Sequence, residues 1–200
     1  MIQVLQKIGA VYFKKNAKRD AHILTDLESI AGVGLPDVYK KFLANMSGPV
    51  EFTCSVCVLA KGVPMAGKEG ILDVDILYAA TRGEYGLREA YKNYRYCNGN
   101  VGYFPIGEAP GGNLFCLGIN KEHKNKVCYW DHEAPENEDI YPIFRTFADF
   151  LKGIHREPDR EGDSDEVDCG VVAENLSFLD EPDALRALKA IRNERKKRKK

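Results

Sequence analysis

Two alternating segments in the middle of the chain constrain its fold more than any other feature. Residues 113–119 (NLFCLGI) and 126–131 (KVCYWD) both alternate at a period of two, and residues 120–125 (NKEHKN) between them are polar. This pattern is typical of a β-hairpin. Closing the loop symmetrically predicts these cross-strand pairs: Leu117 with Val127, Cys116 with Cys128, and Phe115 with Tyr129.

The faces of this hairpin predict where it lies in the fold. Leu114 and Trp130 are expected on one sheet face, whereas Phe115, Leu117, Val127 and Tyr129 fall on the other. Because both faces are largely apolar, the hairpin is predicted to lie inside a sheet that is covered on each side.

The rest of the chain predicts helices and strands around this hairpin. Apolar residues at helical spacing favour helices over residues 20–31, 36–46, 84–96 and 146–154. Thr146 followed by Asp149 is typical of a capping box at the start of the last of these. Alternation over residues 50–59 predicts one strand, and residues 71–78 are predicted to form another strand or a strand-like segment. We therefore expect an α+β fold with a mostly antiparallel sheet of about five or six strands flanked by helices, plus a C-terminal helical extension.

Charge is sorted along the chain and predicts three regions. Residues 1–154 hold 18 basic and 18 acidic residues, whereas 155–169 hold seven acidic and two basic ones, and 186–200 hold nine basic and one acidic. A polar acidic stretch with few apolar residues favours a linker. The sequence thus predicts a globular domain over 1–154, an acidic linker over 155–169, and a helical extension with a basic tail over 170–200.

Four segments appear together in an informative order. They are 35–43 (LPDVYKKFL), 102–119 (GYFPIGEAPGGNLFCLGI), 126–133 (KVCYWDHE) and 147–151 (FADFL). In this order they resemble the SMI1/KNR4 (SUKH) superfamily over about residues 20 to 154. Asn113 departs from the pattern, which more often has Asp there. The resemblance implies a protein-binding module and not an enzyme; many bacterial members look like immunity proteins that neutralise a toxin, often a nuclease, and other members are eukaryotic regulators.

The residues that could carry chemistry do not form a convincing site in the sequence. Cys54 and Cys57 have the spacing of a redox or zinc half-site, but three residues along a strand place side chains on opposite faces. His123 and His132 lie at opposite ends of the hairpin, so they are not expected to join Cys116 and Cys128 around a metal. No nucleotide-binding, serine-hydrolase or zinc-protease fingerprint occurs in the sequence. We predict no catalytic residue, no metal and no cofactor.

A run of acids after the hairpin is the predicted partner-binding surface. No Lys or Arg interrupts the acidic residues from 131 to 139, which suits a basic protein partner such as a toxin, although an ordinary solvated loop has the same composition. An exposed Trp130 would add an aromatic anchor. The predicted set is Glu108, Trp130, Asp131, Glu133, Glu136, Glu138 and Asp139.

Location and alternative partners follow from the remaining composition. The N-terminal residues lack the apolar run of a signal peptide, and no stretch approaches about 20 apolar residues, so the sequence predicts a cytoplasmic protein with no membrane contact. Residues 186–200 are basic enough to contact nucleic acid, which would instead make the chain a nucleic-acid-associated or regulatory scaffold protein. The oligomeric state stays open.

Overall fold

The computed structural model describes residues 5, 8–12, 22–46, 48–81, 83, 85–98, 102–135 and 138–157. The helices within them are α1 (Ile23–Ala31), α2 (Asp37–Asn45), α3 (Leu87–Asn98) and α4 (Phe147–Gly153). The strands are β1 (Ala10–Tyr12), β2 (Val50–Phe52), β3 (Val56–Leu59), β4 (Ile71–Asp73), β5 (Ile76–Leu77), β6 (Tyr103–Glu108), β7 (Leu114–Gly118), β8 (Val127–Trp130), β9 (Ile140–Phe144) and β10 (His155–Arg156). None of the described helices is long and apolar enough to cross a membrane.

The strands form two antiparallel sheets. The main sheet has seven strands in the order β1-β2-β5-β6-β7-β8-β9, and the second has three in the order β10-β3-β4. Every adjacent pair of strands is antiparallel. The predicted α+β class and antiparallel sheet are confirmed, with seven strands in the main sheet. The predicted C-terminal extension over 170–200 lies outside the described residues.

The central hairpin has the predicted register. β7 and β8 pair Leu117 with Val127, Cys116 with Cys128, and Phe115 with Tyr129. The side chains of Phe115, Leu117, Val127 and Tyr129 belong to the large core of the domain. Those of Cys116, Cys128 and Trp130 belong to a smaller cluster with Tyr94 and Tyr103. The prediction of a hairpin buried on both faces is therefore confirmed.

Helices α2 and α4 cover the large-core face of the main sheet. Tyr39 and Phe42 of α2 lie edge-on to Phe147 of α4, with ring centroids 4.8 and 5.1 Å apart. α4 begins at Thr146, whose hydroxyl accepts a hydrogen bond from the Asp149 backbone N–H at 3.1 Å and donates one to its carboxylate at 2.8 Å. The predicted cap at Thr146 is confirmed and fixes the helix start.

Two predicted strands are each divided between the sheets. Residues 50–59 form β2 in the main sheet and β3 in the second sheet, with bends at Thr53 and Cys54 between them. Residues 71–78 divide in the same way into β4 and β5. At the break the Thr53 backbone N–H donates to the Gly9 carbonyl, and the Ser55 carbonyl accepts from the Glu157 N–H. The prediction of a single strand over residues 50–59 was wrong because these bonds come from segments far along the chain.

β10 lies at the C-terminal end of the described fold. His155 and Arg156 pair with Cys57 and Val56 of β3. The predicted domain boundary at residue 154 thus falls one residue before a strand of the second sheet.

Candidate partner-binding pocket

A cavity of about 600 Å³ lies between α3 and the C-terminal parts of β6 and β8. We call it the α3 pocket. Its lining residues come from five segments of the chain: Tyr78; Tyr85, Glu89, Ala90, Asn93 and Tyr94; Glu108; Gly112 and Leu114; and Trp130 and His132. Such a volume falls within the range of about 300–1,000 Å³ that is usual for ligand pockets.

Trp130 forms a rigid part of the pocket wall. Its ring stands at 89° to that of Tyr94 with centroids 5.1 Å apart, in an edge-to-face contact. Its Nε1 donates a hydrogen bond of 2.8 Å to Oδ2 of Asp139. Only 8% of Trp130 is exposed. The ring therefore has its position set by packing and by a charged acceptor.

Asn113 holds His132 at the rim of the pocket. The Asn113 side chain is buried, and its Oδ1 lies 3.1 Å from the His132 backbone nitrogen and 2.9 Å from its Nδ1. Its Nδ2 donates to the Pro110 carbonyl at 3.3 Å. Because an amide oxygen only accepts, Nδ1 carries the proton of the neutral imidazole, and Nε2 is left as an acceptor.

Two carboxylates make the pocket acidic. The Tyr78 hydroxyl donates to Oε1 of Glu108 at 2.6 Å, and burial together with this acid raises the pKa of Tyr78 far above its ordinary value. Glu89 lies in the first turn of α3, and its buried Oε2 has no hydrogen-bond partner. No Lys or Arg occurs among the described residues that line the pocket. The pocket is therefore suited to a positively charged group.

Comparison with known protein families matches residues 20–153 to the model of the SMI1/KNR4 family (SUKH-1). The chain belongs to the SMI1/KNR4 family. No curated protein matches the chain. SUKH-1 is known as a family of immunity-type proteins. The matched residues include the central hairpin and each of the described residues that line the α3 pocket.

The seven partner-binding residues that the sequence predicted in this SUKH-1 chain occupy different environments. Glu108 and Trp130 both line the α3 pocket. Asp131 and Asp139 are only 7% and 8% exposed, whereas Glu133 is exposed. Glu138 is exposed as well, and Glu136 lies outside the described residues. The acidic surface that the sequence predicted therefore does not include the buried Asp131 and Asp139, and the condition that Trp130 be exposed is not met. The partner-binding role of the set stays a prediction.

The two buried aspartates have identifiable structural partners. Asp139 accepts the indole N–H of Trp130, and its carbonyl accepts the backbone N–H of Asp131 at 2.9 Å. Oδ1 of Asp131 accepts the backbone N–H of Glu133 at 3.1 Å. These bonds close the turn after β8. The acidic run therefore presents fewer charges to a partner than its composition indicates.

Several residues of the pocket were missed in the sequence. Nothing in the local pattern marked Tyr78, Glu89 or Tyr94 as residues of a site. The signals that existed were Asn113, which departs from the family pattern, and His132 in the segment that resembles the family. Asn113 and His132 are hydrogen-bonded to each other in this SUKH-1 domain.

Four cysteines of this SUKH-1 domain are free thiols: Cys54, Cys57, Cys116 and Cys128. Cys54 lies in the bend after β2 and donates to the Ile8 carbonyl at 3.2 Å, so its predicted position inside a strand was wrong. Cys57 lies 3.5 Å from Nε2 of His155. Burial, aided by the charges of Asp73 and Glu157, raises the pKa of Cys57 to about 11. This thiol stays protonated at neutral pH, which makes it a poor nucleophile.

The predicted cross-strand contact of Cys116 with Cys128 is confirmed. Burial raises the pKa of both thiols. His123 lies away from them in the hairpin loop, where its Nδ1 is 2.7 Å from the Tyr103 hydroxyl. The described part of the chain contains no group of three His, Cys, Asp or Glu residues that could hold a metal ion.

Proposed function

We propose that this protein is a cytoplasmic immunity protein that binds a protein toxin and neutralises it without catalysis. Membership of an immunity-type family supports this function. The observation that carries the proposal is the α3 pocket, in which Glu89 and Glu108 lie among aromatic side chains with no Lys or Arg among the described lining residues. Such a pocket suits a basic partner, and toxins that act on nucleic acid have positively charged active sites.

The exposed acids beside the pocket extend the proposed interface. Glu133 follows His132 at the pocket rim, and Glu138 is exposed in the same connection between β8 and β9. Opposite charges at the edge of an interface speed association more than they lengthen the lifetime of the complex. An immunity protein gains from fast association because the toxin must be captured before it acts.

The first experiment tests neutralisation directly. The candidate toxin is the product of the gene that lies next to this one, since immunity genes of this family usually adjoin their toxin genes. It is expressed in a host alone and together with this chain, and growth and copurification are measured. We expect the chain to restore growth and to copurify with the toxin. Growth that stays arrested with no complex formed would refute the proposal.

A second experiment tests the acidic connection. Glu133, Glu136 and Glu138 are changed together to Lys, and association rates with the toxin are measured across salt concentrations. We expect slower association and a weaker salt dependence. The matched control is Glu69→Lys, which reverses an exposed charge outside the pocket lining. An unchanged rate and salt slope in the triple variant would exclude this connection from the interface.

The basic residues at 186–200 support a second candidate function, binding to nucleic acid. This function predicts salt-sensitive DNA binding by the full chain that is lost when the chain is truncated at Gly170. Equal DNA binding by both chains, or none by either, would eliminate it.

A further inference from the structure

We propose that the α3 pocket receives an arginine side chain of the partner protein. The inference rests on the proposed function, since it takes the partner to be a protein. It goes beyond that function by naming the group that is recognised and the residues that recognise it: Glu89, Glu108, Trp130 and His132.

The pocket carboxylates can accept hydrogen bonds from a cationic donor. Oε2 of Glu89 is buried with no hydrogen-bond partner, and a buried acceptor in this state costs free energy. Oε1 of Glu108 accepts the Tyr78 hydroxyl, which fixes the orientation of that carboxylate. His132 also lines the cavity, and its Nε2 is an acceptor in the neutral tautomer that Asn113 selects. A ligand with several N–H donors and a positive charge would satisfy these groups together.

The aromatic walls favour arginine over lysine. Trp130 and Tyr94 form a perpendicular pair, and Tyr78 and Tyr85 also line the cavity. A guanidinium group is planar, stacks on aromatic rings, and has five N–H donors that can serve more than one carboxylate. A lysine ammonium is a compact, strongly hydrated charge with three donors. The cavity of about 600 Å³ has room for an arginine together with part of its flanking chain.

The single tryptophan of the chain provides the readout, because Trp130 lies in the pocket wall. N-acetyl-arginine methylamide is titrated into the full-length protein while tryptophan fluorescence is recorded. The lysine analogue and the neutral citrulline analogue are the matched probes. We expect saturable binding of the arginine probe with a Kd of about 1–10 mM, a weaker effect of the lysine probe, and none of the citrulline probe.

Substitutions of the two carboxylates test the assigned residues. Glu89→Gln and Glu108→Gln keep the shape of each side chain, and the amide oxygen at position 108 still accepts from Tyr78. Each is expected to weaken binding of the arginine probe by about tenfold, whereas Glu69→Gln leaves it unchanged. Equal binding of the arginine and citrulline probes would overturn the proposal, as would tighter binding of the lysine probe. The probe titrations need no variant, so they decide the matter even if a substitution unfolds the protein.

The failure of this inference can be told apart from failure of the proposed function. If the chain neutralises the toxin but does not bind the arginine probe, the proposed immunity function stands and the proposed arginine pocket is refuted. If the chain binds the probe but forms no complex with the toxin, the arginine pocket stands and the immunity function is refuted. Neutralisation that persists undiminished in the Glu89→Gln, Glu108→Gln double variant would also overturn the role of the pocket.

Discussion

Replacing Phe150 by Ala should remove a large part of the stability of the domain. Phe150 is fully buried in α4, and its ring centroid lies 5.1 Å from that of Phe115, 5.7 Å from that of Phe144 and 6.1 Å from that of Phe147. Emptying such a site costs about 3–5 kcal/mol of unfolding free energy. Aromatic pairs contribute about 0.5–1.5 kcal/mol each, which this range already contains, so the loss of three of them places the expected cost in its upper part, at about 4–5 kcal/mol.

The cost is measured by urea unfolding followed by Trp130 fluorescence and by circular dichroism. For a chain of this length it corresponds to a fall in Tm of about 8–20 °C. Phe150→Leu keeps most of the volume and should cost less than the Ala variant. Met65→Ala, at a residue that is 52% exposed, should change the free energy by less than about 0.5 kcal/mol. A loss below about 1 kcal/mol in Phe150→Ala would show that α4 is peripheral to the core.

Three further predictions concern other parts of the fold. Asn113→Ala should lower the unfolding free energy by about 1–3 kcal/mol in urea, because it removes the buried acceptor of His132; a loss below about 0.5 kcal/mol would contradict this. The stability that the buried thiols contribute should be fully present below pH 9 and should be lost as the pH rises towards 12. Burial raises the pKa of Cys57 to about 11 and that of Cys128 to about 12, so between these limits the unfolded chain releases protons that the folded chain keeps. Urea unfolding at pH 8–11 measures how the unfolding free energy changes with pH. Cys128→Val is expected to make this change smaller, and an unfolding free energy that does not vary with pH would refute the prediction. A chain that ends at Glu157 should give the same Tm as the full chain, and aggregation of that chain would show that the later residues belong to the core.

The sequence predicted the central hairpin well because its evidence is local. Only one register places Phe115 opposite Tyr129 and Leu117 opposite Val127, and a slip of one residue would exchange the two faces of a strand. The cap at Thr146 was equally local, since Asp149 lies three residues further on. Local patterns of this kind need no knowledge of the rest of the fold.

The pocket and the second sheet could not be predicted in the same way. Alternation over residues 50–59 does not reveal that β2 pairs with β5 and that β3 pairs with β4. The pocket lining is brought together from segments between Tyr78 and His132. The sequence alone indicates a surface position for Asp139, because nothing local to it shows that its carboxylate accepts the indole N–H of Trp130.

The separation along the chain between paired strands is much larger for β10 and β3 than for the consecutive strands of the main sheet, and this affects the kinetics of folding. β6, β7, β8 and β9 are consecutive in the chain and adjacent in the main sheet, so they close short loops. β10 joins β3 across 98 residues, as the contact of Cys57 with His155 shows. Long loops close later because they cost more chain entropy. A chain truncated before residue 155 should therefore fold as fast as the full chain and unfold faster.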